Sequence, residues 1–371
     1  MTPRRLFTSE GWPYLLVPFI PLAIALDAAN ATAAVVFFAS ALGVIPTAAL
    51  MGRATEELAA RSGPGIGGLL NVTFGNAPEL IIALLALQKG LHEVVKASLI
   101  GSILGNVLLV MGAAMFFGGL GRDRQRFSQT AASAQSSMLL LTVAALVMPG
   151  VFELVHGRGL PAPGAERVHL PPNIEQLSLV VALVLMASYV AGLVFSLRTH
   201  RDLFNPPAEI EEPEVERWSF RRSVAMLAIA GVAVGGMSEI LVGSISETAH
   251  RIGLSQFFIG AIVVAIVGNA AEHWVAVLVA RKDQMTLAVN IAIGSSVQIA
   301  TFVAPLLVVC SFFVGPHPMP LVFNGFELAA VFLAALIANQ VTQEGESTWF
   351  EGLQLLCVYV VLAVTFGFAN A

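Results

Sequence analysis

Two glutamates stand inside long apolar runs, each three residues after an asparagine: Asn76 with Glu79 in Gly75-Asn76-Ala77-Pro78-Glu79, and Asn269 with Glu272 in Gly268-Asn269-Ala270-Ala271-Glu272. On a helix, an i, i+3 spacing puts amide oxygen and carboxylate on one face. Both are hard oxygen ligands. A charged side chain at membrane depth costs about 2.5–3.5 kcal/mol or more, and such residues face a protein interior or a water-filled cavity and serve ion or proton paths. The plainer reading is a structural glutamate satisfied by a neighbour. Further along, Ser102 and Asn106 follow the first motif, and Asn290, Ser295, Ser296 and Gln298 follow the second. These either line the same cavity or make interhelical hydrogen bonds.

The chemistry of this set is oxygen-only. Ca²⁺ takes 6–8 oxygens in flexible geometry, whereas metals that prefer thiolate or imidazole lack ligands here. His273 adjoins Glu272 but points about 100° away around a helix, which weakens it as a zinc ligand. Carboxylates out of water also hold protons well, because desolvation disfavours the charged form. A site holding either two protons or one Ca²⁺ stays near neutral in both states, and exchange follows from that competition. Pro78 removes a backbone N–H and disturbs the carbonyl of Phe74, and Gly75 adds freedom, so a helix break is expected there. Freed carbonyls at that depth need water or a ligand. The second copy has Ala271 in place of the proline, which makes its break less certain.

The two motifs belong to a duplication. Residues 64–112 align without gaps on residues 257–305 at a constant offset of 193, with 13 of 49 positions identical. Gly101-Ser102 falls on Gly294-Ser295 at the same offset. Shared small residues arise by chance between apolar segments, but a shared Asn and a shared Glu in register do not readily do so.

The elements that must position these residues are membrane spans. Hydrophobic residues make up 57% of the 371-residue chain and charged residues 12%, with a mean hydropathy of +0.82, against about 25% charged residues in a soluble domain. Apolar runs of about 20 residues can cross a bilayer, and eleven candidates occur: 12–28, 31–51, 65–88, 95–119, 129–149, 174–197, 223–246, 256–280, 286–314, 322–341 and 350–369. The first is short and carries Pro13, Pro18 and Pro21; with no small-residue cleavage pattern after it, it reads as a span rather than a signal peptide. Five spans separate each pair of repeat equivalents, so the copies face opposite ways, as in transporters whose site lies at the midplane between inverted repeats.

Basic residues set the orientation. With the N-terminus cytoplasmic, fourteen of the 19 fall inside: Arg4, Arg5, Arg53, Arg61, Arg122, Arg124, Arg126, Arg198, Arg201, Arg217, Arg221, Arg222, Arg281 and Lys282. Lys89, Lys96, Arg158, Arg167 and Arg251 fall outside. The expectation is a multi-pass protein of a cell membrane, and the compact length without a targeting signal points to a prokaryotic one. No basic patch with interleaved aromatics is present, which excludes nucleic acid as a partner.

At this point the sequence resembles a known group. GRATEELAARSGPGIGGLLNVTFGNAPELIIALLAL at 52–87 is similar to the first repeat of calcium/proton antiporters in the calcium/cation exchanger superfamily. FFIGAIVVAIVGNAAEHWVAVLVA at 257–280 and IAIGSSVQIATFVAP at 291–305 are similar to their second. The likeness runs over about residues 30–370. It implies an all-α fold of about eleven transmembrane helices, one extra N-terminal helix followed by two inverted five-helix repeats. The corresponding boundaries are 1–29, 30–197, an acidic cytoplasmic connection at 198–222, and 223–371. It also implies that Glu79 and Glu272 alternate between Ca²⁺ and protons; the residue types and spacing add Asn76, Asn269, Gln298, Asn106, Ser102 and Ser295 as the remaining candidate ligands.

Sodium/calcium exchangers of the superfamily usually place an Asp in the second-repeat helix after the glutamate. Here the stretch reads Gly294-Ser295-Ser296-Val297-Gln298, without an acid, which favours proton over sodium coupling. Family members often carry Thr or Val where Pro78 stands.

The functional expectation is therefore a secondary active Ca²⁺/H⁺ antiporter, not an enzyme, with no resident cofactor. Its partners are the two transported ions and the lipid bilayer, with a homo-oligomer left open. Alternatives are a sodium-coupled calcium exchanger, another cation:proton antiporter, a channel, or an intramembrane protease with paired acids, for which no motif is present. Glu209, Glu211, Glu212, Glu214 and Glu216 in the connection form either a solvated linker or a segment that attracts Ca²⁺, without EF-hand spacing. Glu239, Glu247 and Glu327 lie in or beside spans and either assist a proton path or hold helices together. Asp27 is placed at an interface, residues 150–173 in an outside loop, and Cys310 and Cys357 among buried small hydrophobes.

Overall fold

Apolar chain in a bilayer must satisfy its backbone internally, and helices do this within a single segment. The computed structural model describes residues 11–62, 67, 70, 73–164, 171–199 and 218–369. These form eleven helices: α1 (Trp12–Ala28, opening with a tight turn over Trp12–Leu16), α2 (Ala33–Arg61), α3 (Ala77–Gln88), α4 (His92–Gly119), α5 (Gln129–Val155), α6 (Pro172–Val194), α7 (Phe220–Ile252), α8 (Gln256–Arg281), α9 (Met285–Ser311), α10 (Gly325–Val341) and α11 (Trp349–Phe368). Eight are long and apolar enough to cross a membrane, and α1, α3 and α10 are shorter apolar helices. The chain is an all-α multi-pass membrane protein, with one helix in each of the eleven expected spans.

Local chemistry sets the helix ends. Ser128, Ser219 and Ser255 accept hydrogen bonds from the first turns of α5, α7 and α8. Asn324 with Glu327 and Thr348 with Glu351 form reciprocal capping boxes on α10 and α11. Gly253 closes α7 in the left-handed conformation, φ 70°.

Burial separates inner from outer helices. In α4, 83% of the apolar window is buried, against 17% in α6 and 22% in α11. Val180, Leu183, Val184 and Val190 of α6 are exposed, as expected of a face that meets lipid. Helices α4 and α9, which carry the duplicated Gly-Ser pairs, are therefore central. Long α2 packs along long α7. Cys310 is only half-buried and Cys357 is exposed on α11. They are not the buried pair expected from sequence: an apolar run in a membrane does not distinguish a core-facing from a lipid-facing side.

Contacts between connections agree with the count of spans. A short antiparallel ribbon pairs Gln125–Arg126 (β1) with Glu346–Ser347 (β2). Arg124 and Arg126 bind Glu346 there, at 2.6 and 3.3 Å, and the hydrogen bond from Arg124 holds the Glu346 carboxyl below the usual range. Gln125 also donates to Asp283 at 3.0 Å. On the opposite face, Lys96 donates to the Val322 carbonyl at 3.1 Å, and the Gly164 N–H donates to Glu93. Segments assigned to one side from basic residues thus meet one another. The acidic residues Glu209, Glu211, Glu212, Glu214 and Glu216, with Arg4, Arg5, Arg167, Arg201 and Arg217, lie outside the described residues.

Candidate functional site

The site forms where the two motifs meet. In the first copy, Gly75 and Asn76 make a turn, and α3 begins at Ala77 with Asn76 at its N-cap position, φ −98°, ψ 23°. Pro78 sits in the first helical turn, where its missing N–H has no partner to lose. Glu79 follows in that same turn, at the end of the helix that carries partial positive charge. In the second copy there is no turn: helix continues from Ala265 through Gly268, Asn269 and Glu272 to Arg281. Ala271 keeps its N–H, so the ladder passes unbroken.

Widened, π-helical turns flank the motifs instead, over Ile259–Val264 of α8, Gly105–Val110 of α4 and Ile299–Val303 of α9. The last two nearly coincide under the repeat offset. Such turns are frequent at functional sites.

Hydrogen bonds join the copies crosswise. Ser295 Oγ of α9 donates to Asn76 Oδ1 at 2.8 Å, and Asn76 Nδ2 donates to Gln298 Oε1 at 2.7 Å. Asn269 Nδ2 donates to Ser102 Oγ of α4 at 3.0 Å and to the Ala265 carbonyl at 2.9 Å. Asn76–Ser295 and Asn269–Ser102 are images of one another under the 193-residue offset: the asparagine of each repeat binds the serine of the other. All four residues are buried.

The carboxylates are next to these bonds. Glu79 lies over Gly268, whose missing side chain makes the room: a methyl there would stand 3.3 Å from Glu79 Oε1. Glu79 is within electrostatic range of Glu272, and the Ser295 hydroxyl is in hydrogen-bonding reach of the Glu272 carboxyl. Two oxygens are shut from solvent and accept no hydrogen bond, Glu79 Oε2 and Asn269 Oδ1.

A cavity of about 10 Å³ adjoins Glu79, lined also by Ser98, Ser102, Val264 and Gly268, enough for roughly one water. Toward the His92 end of α4 the backbones of α4 and α8 come into close contact: a methyl on Gly101 would sit 2.0 Å from the Ala261 carbonyl oxygen, and one on Gly260 would sit 2.8 Å from that of Val94.

The pattern shared by sodium/calcium exchanger proteins matches residues 32–198 and 222–368. The chain belongs to this family. A Ca²⁺/H⁺ antiporter of Synechocystis sp. is 43% identical, over 95% of this chain and 96% of its own length. The Ca²⁺/H⁺ antiporter ChaA of Bacillus subtilis is also 43% identical, over 95% and 97%. Among solved structures, the selenium-substituted Ca²⁺/H⁺ antiporter protein YfkE superposes with a TM-score of 0.79 at 39% identity, covering 96% of this chain and 99% of that one.

For this member of the family, the site brings together seven of the eight sequence candidates: Glu79, Glu272, Asn76, Asn269, Ser102, Ser295 and Gln298. The eighth, Asn106, faces His273, its Oδ1 lying 3.1 Å from the ring Nε2. His273 is thereby engaged away from the carboxylates. Ser296 bonds its own helix, at the Ala292 carbonyl.

The other membrane-level acids have local partners. Glu239 pairs with Lys89 at 2.7 Å and Glu247 with Arg251 at 2.7 Å, while Glu327 caps α10. One neighbour was not marked by the sequence: Glu56 of α2 is within electrostatic range of Glu272. Its run, Arg53 to Glu57, has the look of a solvated helix end. Among the described residues no group of three or more His, Cys, Asp or Glu could hold a metal. A cation at this site would be held by two carboxylates supplemented by amide and hydroxyl oxygens, a hard set.

Proposed function

We propose that the chain is a secondary active antiporter that exchanges Ca²⁺ for protons by alternating access, with Glu79 and Glu272 holding either Ca²⁺ or protons in turn. The observation that carries this reading is the crossed pair of Asn–Ser hydrogen bonds, which draws two carboxylates from opposite repeats to one place while leaving Glu79 Oε2 and Asn269 Oδ1 without donors. Acceptors without donors are what a cation or an added proton satisfies. Ser295 has one hydroxyl proton, which serves Asn76 or Glu272 but not both, so occupation of Glu272 feeds back on the opposite repeat. The names of the full-length relatives support Ca²⁺ and H⁺ as the ions. The excess of basic residues on one face supports a cytoplasmic N-terminus in a cell membrane.

The test is ⁴⁵Ca²⁺ uptake into proteoliposomes holding the purified chain. An imposed pH gradient drives uptake, an imposed sodium gradient does not, and a panel of competing cations ranks selectivity. Uptake that follows sodium and ignores pH would replace this reading by sodium-coupled exchange.

A further inference from the structure

A polar side chain from outside the duplicated motifs approaches α9 at Gly294, next to Ser295 in the chain. Gln135 lies in the first half of α5, among hydroxyl residues that turn the other way. Ser133 Oγ donates to the Thr342 carbonyl at 3.4 Å, Ser136 Oγ lies 2.8 Å from the Thr342 hydroxyl, and Ser137 Oγ donates to Asn339 Oδ1 at 3.3 Å. That seam ties α5 to the end of α10. Gln135 turns to α9: a methyl on Gly294 would lie 3.9 Å from Gln135 Oε1, the nearest atom to it. This oxygen is shut from solvent and accepts no hydrogen bond.

An amide oxygen placed so is unfavourable in a low-dielectric interior unless something positive comes to it. It is a third such acceptor in this region, with Glu79 Oε2 and Asn269 Oδ1. Gly294 precedes Ser295, whose hydroxyl reaches both Asn76 and Glu272, so Gln135 flanks the half of the site that Ser295 serves. Counted from the N-caps, Ser128 of α5 and Asn324 of α10, the corresponding place in α10 is Val331, whose side chain has no oxygen to give.

We propose that Gln135 is a further oxygen ligand of the transported cation, entering the site from α5 and making the ligand set unequal between the repeats. This rests on the antiport reading. Its consequence is a higher oxygen count, which favours a large divalent ion of flexible coordination over a small octahedral one.

The test compares Gln135→Leu and Gln135→Glu with the parent by equilibrium ⁴⁵Ca²⁺ binding to the detergent-purified chain and by pH-driven ⁴⁵Ca²⁺ uptake. Gln135→Leu removes the oxygen at similar volume; the dissociation constant and the half-saturating Ca²⁺ both rise about tenfold, while the maximal uptake rate stays within about threefold of the parent. Gln135→Glu keeps an oxygen there and binds Ca²⁺ at least as tightly as the parent. If Gln135→Leu does not fold, Gln135→Met carries the same expectation.

Unchanged Ca²⁺ binding in the oxygen-free variant overturns the proposal. So does equal weakening by Leu and Glu with a matching fall in unfolding temperature, which would mark a packing role. A parent that binds Ca²⁺ but shows no pH-driven uptake would sink the antiport reading alone, since the binding comparison still decides on Gln135.

Discussion

The two copies of the Gly-Asn-x-x-Glu motif have matching residues but are built differently. In the first, a turn at Gly75–Asn76 starts a new helix, and Glu79 sits in its opening turn. In the second, α8 runs straight through and Glu272 stands in mid-helix. Their hydrogen bonding is also reversed. Asn76 has its oxygen occupied by Ser295, while Asn269 uses its N–H groups and leaves its oxygen bare. Glu79 has a bare carboxylate oxygen, whereas Glu272 has Ser295 beside it. Each copy thus has one oxygen group beside the Ser295 hydroxyl and one bare oxygen, in opposite order. A duplicated sequence supplies equivalent ligands; the proline at one position and the alanine at the other let the two halves occupy unlike conformations at the same time. That is the asymmetry the proposed alternating site requires.

The largest expected effect tests whether both carboxylates are indispensable despite this asymmetry. Glu79→Gln and Glu272→Gln each lower pH-driven Ca²⁺ uptake by about 100-fold or more, since in the proposed mechanism each removes a charged ligand rather than an outer contact. Both variants remain folded, because an amide fills nearly the same volume. Near-parent uptake by one and not the other would break the pairing and reduce the site to a single working glutamate.

A second comparison concerns stability at equivalent glycines. Gly101 and Gly294 occupy the same place in the two repeats. A methyl at Gly101 meets backbone at 2.0 Å, but at Gly294 the nearest atom is 3.9 Å away. Gly101→Ala should therefore destabilise the protein by about 1–3 kcal/mol or more through overpacking. Gly294→Ala should be neutral or stabilising by up to about 1 kcal/mol, the helical gain of alanine over glycine. Unfolding temperatures of the purified variants measure the difference. Equal losses would mean that α9 packs as tightly as α4.

Much of this arrangement was legible in the sequence, and the limits have physical causes. The eleven spans follow from apolar length, and the repeat follows from a Glu and an Asn in register, since neither is tolerated casually in lipid. The break before Pro78 was readable because proline removes a specific N–H. The unbroken second copy was readable only as the absence of that proline. The crossed bonds were not, because an offset states which residues are equivalent and says nothing about which touch. The π-helical turns have no residue signature of their own. Glu56 was hidden by lying at a charged helix end, and Gln135 by lying outside the duplicated stretch. The orientation of Cys357 was lost for a related reason: apolar residues face lipid and core alike.

The smallest effect separates the two serines, and it is the finest probe of the reversed hydrogen bonding. Ser102 serves only as an acceptor for Asn269, which keeps a second bond to the Ala265 carbonyl. Ser102→Ala therefore costs at most one neutral hydrogen bond, about 0.5–1.5 kcal/mol, and changes half-saturating Ca²⁺ by about threefold or less. Ser295 donates to Asn76 and also meets Glu272. Ser295→Ala strips the donor from the Asn76 oxygen and the neighbour from the Glu272 carboxyl together. Its effect on half-saturating Ca²⁺ should exceed that of Ser102→Ala by about threefold or more, and the pH dependence of uptake should move with it, because in the proposed mechanism Glu272 carries the proton in the competing state. Ser102→Ala should leave that pH profile in place. If the two serines gave equal shifts, the hydroxyl of Ser295 would not couple the halves, and the asymmetry between the copies would be a matter of backbone alone.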